Sequence, residues 1–210
     1  MKKTSAFIGT AGTLIPLLVC AIAVLSFSSC AASSNNARKA DTAAVNNEAI
    51  GNMIHSYAAR NFAAGEVTEE EIKTILECGA WAPSARNGQP WHFTVVRDRG
   101  LGKKIISNLT ENNIIIIVSA SKEQKPGMNA DLDCGLAVQN IYLAAQALGL
   151  GSRIYTGPVD SVNKNYRNEL GFPEGFEAVA LIRIGRLQDS ADALSAASGR
   201  KELGAIVNYK

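Results

Sequence analysis

The spacing of apolar and polar residues predicts two helices in the first part of the folded chain. Apolar residues recur at intervals of three and four between Asn47 and Arg60, which predicts a helix over that stretch. Thr68 and Glu71 form a capping-box pattern ahead of an apolar face that runs to Trp81. A second helix is therefore expected to begin at Thr68.

Three β-rich runs predict strands. The first covers residues 93–96, and the second is the continuous β-branched run 114–118, which is typical of a strand buried on both faces. The third covers residues 178–185, where we expect Arg183 and Arg186 to be exposed to solvent.

Two further helical segments complete the pattern. Residues 103–109 have room for at most two turns, whereas residues 131–151 are small and apolar around almost their whole circumference. The longer segment is expected to be a central, buried helix. Gln139 and Asn140 are polar positions on it, so we expect both to satisfy buried partners rather than a substrate.

Composition narrows the possible functions. The chain has 210 residues, of which 47% are hydrophobic and 19% charged, and its formal net charge is +2. These values fit an ordinary globular domain with one core. No run of five or more Lys or Arg residues occurs, so nucleic acid is not an expected partner.

Residues 1–29 have the pattern of an export signal. Lys2 and Lys3 precede an apolar stretch from residue 6 to residue 27, and Ser-Ser-Cys follows. This resembles a bacterial lipobox, in which Cys30 would be lipidated, although Phe27 stands where that pattern prefers Leu. A plain signal peptide and an uncleaved membrane anchor are the alternatives, since about 20 apolar residues can span a bilayer.

The lipobox interpretation predicts three segments and a location. Residues 1–29 would be the signal, residues 30–47 a flexible tether of Ala, Ser, Asn and Thr, and residues 48–210 the folded domain. The protein would be exported to the bacterial cell envelope and anchored to a membrane through Cys30.

The remaining cysteines and the histidines do not form a chemical motif. Cys78 and Cys134 lie in helical patterns, where we expect two buried thiols. Whether they form a disulfide is open at this level. His55 and His92 are the only histidines, and no metal-ligand or nucleophile pattern accompanies them, so no metal is predicted.

The loop at residues 82–93 is the strongest candidate for binding chemistry. Its sequence is Ala-Pro-Ser-Ala-Arg-Asn-Gly-Gln-Pro-Trp-His-Phe. Pro83 fixes φ locally and Gly88 lets the backbone approach a partner closely. Asn87 and Gln89 each carry a donor and an acceptor suited to the edge of a planar heterocycle. A ligand-binding loop and an elaborate helix-to-strand connection explain these residues equally well.

Two motifs resemble those of the FMN-dependent nitroreductase family. The loop is similar to the family segment P-S-S/A-x-N-x-Q-P-W-x-F, and the helix at residues 131–151 is similar to D-x-G-x-A-x-Q-N-x-x-L-A-A-x-A-L-G-L-G-S. The resemblance extends over about residues 47–207. It implies an α+β fold with a mixed central sheet flanked by helices, and an intertwined homodimer that holds FMN in two interfacial sites.

The resemblance also implies which residues contact FMN. In the family the loop reaches the flavin across the dimer interface, a basic residue of the first segment approaches the flavin pyrimidine, a small pair lies over N5, and a late basic residue holds the phosphate. The corresponding residues here are Pro83, Ser84, Ala85, Asn87, Gln89, Arg60, Thr156, Gly157 and Arg200, with Lys201 as a substitute for Arg200.

One part of the family pattern is missing. The family motif R-R-S-x-R-x-F has an Arg and a Ser that hold the FMN phosphate, and Ser56 and Ala58 stand at those positions here. The phosphate would therefore depend on Arg200.

The resemblance implies a reaction in which the flavin, and no side chain, carries the chemistry. Hydride would pass through flavin N5 from NAD(P)H or another reductant to a nitro, quinone or similar small acceptor. The alternative is a lipid-anchored, non-catalytic binding or scaffold module with a degenerate flavin site. Ser56 and Ala58 favour that alternative, whereas Asn87 and Gln89 favour the enzyme.

Overall fold

The computed structural model describes residues 47–123, 126–189 and 200–210. The predicted signal peptide, Cys30 and nearly all of the predicted tether lie outside these residues. The described helices are α1 Glu48–Ile54, α2 Glu69–Ala80, α3 Arg99–Ile105, α4 Ala130–Ala147, α5 Val159–Asn165 and α6 Arg167–Leu170, and the strands are β1 Trp91–Val96, β2 Ile114–Ser121, β3 Gly151–Tyr155 and β4 Phe176–Gly185.

The four strands form one sheet in the order β1-β2-β4-β3. Each neighbouring pair is antiparallel. The predicted α+β class is confirmed. The mixed sheet of the prediction needs a parallel pair, which these four strands do not supply.

Helices cover both faces of the sheet. On one face, α2 and α4 pack over Ile114, Ile116 and Val118 of β2. On the other face, the short helices α3, α5 and α6 pack over Ile115 and Ile117. Because residues 114–120 are buried throughout, the prediction of a strand buried on both faces is confirmed.

Helix α4 is the longest element, but the single chain does not bury it all round. Cys134, Ala137 and Ile141 are fully buried, whereas Leu132 is 61% and Leu136 is 38% exposed. The exposed positions lie four residues apart and form one face. The expectation of a helix buried on every side is therefore wrong for the isolated chain.

The predicted burial of the polar residues Gln139 and Asn140 and of the two helical cysteines is confirmed only in part. Asn140 Nδ2 donates to the carbonyl of Cys78 at 3.0 Å, as expected of a polar residue on an apolar helix, but Gln139 is exposed. Cys134 is fully buried and Cys78 half-buried, and both are free. Burial raises the pKa of the Cys134 thiol to about 12, so this group stays neutral.

Helix α1 ends at Ile54, six residues before the predicted end at Arg60. The reason is competition from remote partners. Gln146 accepts from the Tyr57 N–H and donates to the Tyr57 carbonyl, and the Ala59 N–H donates to the Ser152 carbonyl. These bonds take the backbone groups that a longer helix would use.

Helix α3 begins at Arg99, four residues before the predicted start at residue 103. Its N-cap is Asp98, whose Oδ1 accepts from the Leu101 N–H at 2.6 Å. The capping residue therefore fixes this end of the helix.

The prediction that Arg183 and Arg186 face solvent is wrong for Arg183, whereas the Arg186 side chain keeps 37% of its surface exposed. Arg183 is 2% exposed. Arg186 donates to both carboxylate oxygens of Glu71, at 2.8 and 2.9 Å, and its Nε donates to the Glu66 carbonyl. Both guanidinium groups connect β4 and the chain after it to segments far away in the sequence.

Within residues 47–123, 126–189 and 200–210, every helix is too short or too polar to cross a lipid bilayer.

Candidate cofactor site

The loop between α2 and β1 has a strained backbone. Three of its non-glycine residues lie in the left-handed region, with φ of 54° at Arg86, 54° at Asn87 and 44° at Gln89. Each such residue costs about 1–3 kcal/mol, and strain of this kind concentrates at functional sites. Asn87 and Gln89 are both exposed, so their side chains are available to a ligand.

Internal hydrogen bonds close this loop on itself. The Ser84 hydroxyl accepts from the Gln89 N–H at 3.0 Å. The Asn87 N–H donates to the Ser84 carbonyl, also at 3.0 Å. Gln89 Nε2 donates to the Asn87 carbonyl at 3.3 Å. The two amide residues are thereby held next to each other.

Helix α4 anchors the same loop. Both carboxylate oxygens of Asp133 accept from the Ala85 N–H, each at 3.2 Å. Asp133 is 4% exposed and is the fourth residue of α4. The loop is therefore fixed to the first turns of this helix.

Gly88 serves packing rather than ligand approach. A Cβ at this position would overlap the side chain of Met128 and would lie 3.1 Å from the Ala85 carbonyl oxygen. Its φ is −72°, which other residues adopt readily. Gly88 therefore lies against Met128, whose flexible terminal methyl group would have to shift to admit a larger residue.

A second group of predicted residues lies at the other end of α4. Arg60 is exposed on the non-helical segment that Gln146 and Ser152 hold through Tyr57 and Ala59. Gln146 Nε2 also donates to the Ser152 hydroxyl at 2.9 Å. Gln146 belongs to the last turn of α4 and Ser152 to β3, so Arg60 is positioned next to both elements.

Thr156, Gly157 and Arg200 are the remaining predicted cofactor residues. Thr156 and Gly157 are exposed and follow the last residue of β3 directly. Burial raises the pKa of the Tyr142 phenol, while a hydrogen bond with Gln146 and the charge of Arg200 act to lower it. Arg200 is therefore near Tyr142, one helical turn from Gln146.

Within one chain, the two groups of predicted residues are far apart. Asp133 and Gln146 are 13 positions apart on α4, which at 1.5 Å per residue is about 20 Å. Arg60 and the Asn87/Gln89 pair are both expected at the flavin ring, which is only about 10 Å long. The contacts that position the two groups are therefore about twice as far apart as the ring is long.

Ser56 and Ala58 stand where the family pattern has the phosphate-binding Arg and Ser. Ser56 donates its hydroxyl hydrogen to the Met53 carbonyl at 3.0 Å, so this donor is already used. Ala58 has no polar side-chain atom. Arg60 and Arg200 remain exposed, and a guanidinium is well suited to a phosphate or to negative charge on a flavin.

Sequence reasoning did not single out Asp133 or Gln146, which position the two groups. Asp133 belonged to the acidic start of a helix, and Gln146 was one polar residue on an apolar helix. A buried polar residue on such a helix signals a specific partner, but the partner's identity depends on the tertiary fold.

The groove between α2 and β1 contains none of the predicted cofactor residues. It has a volume of about 430 Å³. Its floor is apolar, with Ile72, Leu76, Phe93 and Val95, and charged residues such as Glu69 and Arg97 line its rim. We place the candidate site at the loop and the Arg60 segment, because Arg60, Asn87 and Gln89 are exposed there.

Comparison with known proteins agrees with the geometry. The profile of the Nitroreductase family matches residues 55–114 and 106–186. A protein of Archaeoglobus fulgidus, named as a candidate NADH dehydrogenase/NAD(P)H nitroreductase, is 35% identical over 143 residues, which are 63% of this chain and 82% of that protein. A protein of the same name from Methanothermobacter thermautotrophicus is 35% identical over 136 residues, which are 60% and 70% of the two chains.

Solved structures have the same fold. A candidate nitroreductase of Desulfovibrio desulfuricans, crystallised in complex with FMN, superposes with a TM-score of 0.66 at 26% identity and covers 78% of this chain and 97% of its own. A candidate NADH oxidase of Clostridium acetobutylicum superposes with a TM-score of 0.63 at 26% identity and covers 78% and 99% of the two chains.

Proposed function

The chain belongs to the nitroreductase family, and on this premise we propose that it is an FMN-dependent oxidoreductase with one cofactor in each of two sites between two copies of the chain. The chemistry that bound FMN supplies is two-electron hydride transfer through its N5 atom, from a reduced nicotinamide or another donor to a nitro, quinone or similar acceptor. One observation carries the proposal: the strained loop exposes Asn87 and Gln89 in a fixed arrangement.

The residues at the two ends of α4 have different tasks. Asn87 and Gln89 bind the polar edge of the flavin ring, and the backbone of Pro83, Ser84 and Ala85 sets their position. Arg60 places positive charge near the flavin pyrimidine, where negative charge develops on reduction. In a separate segment, the backbone at Thr156 and Gly157 lies along the N5 edge, and Arg200, with Lys201 beside it, binds the phosphate.

A homodimer lets the two groups, which are held at opposite ends of α4, contribute to one site. Each site takes Arg60 from one subunit and Asn87 with Gln89 from the other. The exposed apolar residues support such an assembly, because a face of this kind is normally covered in an oligomer. They include Ile50, Met53 and Ile54 on α1, Leu132 and Leu136 on α4, and Leu203, Ile206, Val207 and Tyr209 near the C-terminus.

FMN retention tests the proposal directly. The full chain, purified in detergent and loaded with FMN, is expected to keep the flavin absorbance near 450 nm through gel filtration. Asn87→Ala, Arg60→Ala and Arg200→Ala should each weaken FMN binding, and Lys164→Ala on the exposed surface of α5 is the matched control. A wild-type chain that loses all FMN at low salt would instead support the non-catalytic binding module.

Turnover is measured separately. The FMN-loaded chain should oxidise NADH or NADPH when a nitroaromatic or a quinone is present, and the two acceptors should be compared at equal concentration. If the chain retains FMN but reduced nicotinamides do not bleach it, the donor belongs to another chemical class. Chemical reduction with dithionite followed by reoxidation with the same acceptors then tests the acceptor half alone.

We also propose that the protein is exported and held at a membrane through a lipid on Cys30. The basic start, the apolar stretch and the Ser-Ser-Cys sequence support this, with residues 30–47 as the tether to a domain at residues 48–210. The mature wild-type chain should begin at Cys30 and carry fatty acyl groups that intact-mass spectrometry detects, whereas Cys30→Ser should carry none and should keep residues 1–29. A wild-type chain that keeps residues 1–29 without an acyl group would indicate an uncleaved anchor instead.

A further inference from the structure

Asp133 is a buried carboxylate in an unusual setting. It is 4% exposed, and none of the ion pairs that the described residues form includes it. A carboxylate without a cation is costly to bury unless hydrogen bonds and dipoles compensate it. The compensation here comes from the N-terminal end of α4 and from the Ala85 N–H.

The bond to Ala85 reaches the loop just before its strained residues. Ala85 begins a single 3-10 turn, Ala85–Asn87, in which Arg86 and Asn87 have positive φ. Positive φ at non-glycine residues persists only where the surrounding structure enforces it. The Asp133 carboxylate is the contact that ties this turn to the rigid helix, whereas the Ser84–Gln89 bond lies within the loop itself.

We infer that Asp133 is a positioning residue for FMN: through the Ala85 N–H it holds Asn87 and Gln89 in the geometry that receives the flavin. This inference rests on the proposed function. Because the loop of one subunit serves the site that contains Arg60 of the other, Asp133 acts on a cofactor held across the subunit interface. It touches neither the flavin nor the substrate.

A neighbouring residue provides a matched control. Asp131 lies two positions earlier on the same helix end, carries the same charge and is exposed. An effect of the helix dipole would be shared by both residues. An effect through the loop belongs to Asp133 alone.

The first experiment measures FMN affinity of the full chain in detergent by quenching of flavin fluorescence. Asp133→Ala should weaken binding about 10- to 100-fold, which is the range expected for losing a hydrogen bond to a charged group. Asp133→Asn keeps the shape and one acceptor and should lose less. Asp131→Asn should stay within about twofold of the wild type. Equal effects of Asp131→Asn and Asp133→Asn would overturn the inference.

Arg86 supplies a local probe of the loop. It is exposed, so trypsin can cleave the chain after it once the loop loosens. Without FMN, Asp133→Asn should be cleaved at Arg86 several-fold faster than the wild type, while cleavage at other sites keeps its rate. An unchanged rate at Arg86 would contradict the role of Asp133 in holding the loop.

Mixed dimers separate positioning across the interface from simple destabilisation. Differently tagged Asp133→Ala and Arg60→Ala chains are co-expressed, and dimers with both tags are isolated. In one of their two sites, the Asp133→Ala chain supplies an intact Arg60 and the Arg60→Ala chain supplies an intact loop. Such dimers should therefore bind FMN tightly at about half the wild-type stoichiometry. Asp133→Ala mixed with Asn87→Ala should bind none tightly, because each site then has one defective loop.

The outcomes distinguish this inference from the proposed function. If the wild-type chain retains no FMN, the proposed function fails. If the wild type retains FMN and the Asp133/Arg60 mixed dimer does not recover half of the sites, the inference fails alone. Should Asp133→Ala not fold, Asp133→Asn takes its place in both experiments.

Discussion

At the scale of single residues, Arg183 is notable because its charged side chain is almost fully buried. Its Nε donates to Asn113 Oδ1 at 2.9 Å and its Nη2 to Thr110 Oγ1 at 2.8 Å. Its guanidinium carbon lies 4.0 Å from the centre of the Phe62 ring. Burial lowers the pKa of Arg183 from its ordinary value, although a hydrogen bond with Tyr155 acts in the opposite direction. Neutral acceptors and an aromatic face thus compensate a charge removed from water.

Removing the Arg183 side chain should destabilise the fold. Arg183→Ala leaves the buried Asn113 Oδ1 without its donor and uncovers Phe62, so we expect a loss of about 2–4 kcal/mol in the free energy of unfolding, measured in urea. The control is Lys104→Ala, which breaks the exposed pair with Glu169 and should change stability by less than about 1 kcal/mol. Similar losses for both variants would show that the buried contacts of Arg183 contribute no more to the free energy of unfolding than an exposed ion pair does.

At the scale of elements, the start of α2 organises the chain around it. The Thr68 hydroxyl accepts from the Glu71 N–H, and Glu71 Oε2 accepts from the Thr68 N–H at 2.8 Å. Glu71 also receives Arg186, which ties the helix to the chain after β4. Burial acts to raise the pKa of Glu71, but the bonds from Arg186 and Thr68 outweigh it and leave the pKa below its ordinary value. This contribution to stability is present above that ordinary value and is lost on acidification.

Two identical substitutions in α2 should have opposite effects. Thr68→Ala removes the N-cap and should cost about 1 kcal/mol. Thr74→Ala removes a hydroxyl that only donates to the Glu70 carbonyl of the preceding turn, and it should stabilise the chain by a few tenths of a kcal/mol, because Ala has the higher helix propensity. Urea unfolding of both variants checks the pair. A loss at Thr74 equal to that at Thr68 would argue against capping as the cause.

At the scale of the whole molecule, α4 sets the distance between the two halves of the cofactor site. Its first turns hold the loop through Asp133, and its last turn holds the Arg60 segment through Gln146. Its exposed apolar face, with Leu132 and Leu136, lies on the first two turns. A second copy that covers this face would bring its own loop toward Arg60, which is the arrangement that two shared sites require.

A charge on this face should weaken both assembly and cofactor binding. Leu136→Glu places a carboxylate where the proposed interface is apolar, so the dimer dissociation constant should rise at least tenfold. Sedimentation velocity of the detergent-solubilised chain measures this change, and FMN retention should fall in parallel. Lys164→Glu on α5 is the charge-altering control and should change neither quantity. A Leu136→Glu chain that stays dimeric and keeps FMN would exclude this face from the interface.

Local patterns were sufficient for most elements. The capping box at Thr68, the β-branched run in β2 and the apolar pattern of α4 each describe one segment and its own backbone preferences, and each predicted element is present. The end of α1 could not be predicted in the same way. Apolar residues at Tyr57 and Ala58 continue the helical period, but Gln146, 89 positions away from Tyr57, takes the backbone groups of Tyr57.

The sequence by itself determined the α+β class and the family, because the loop and α4 signatures are contiguous runs of residues. It also indicated Arg60, Asn87 and Gln89 as candidate cofactor residues, which stay predictions. Only the tertiary structure decided that the Arg60 segment and the Asn87/Gln89 loop are held at opposite ends of α4, that Asp133 anchors this loop, and that Arg183 is buried. These properties depend on contacts between residues far apart in sequence. A pattern of neighbouring residues does not show which distant segments pack around a side chain.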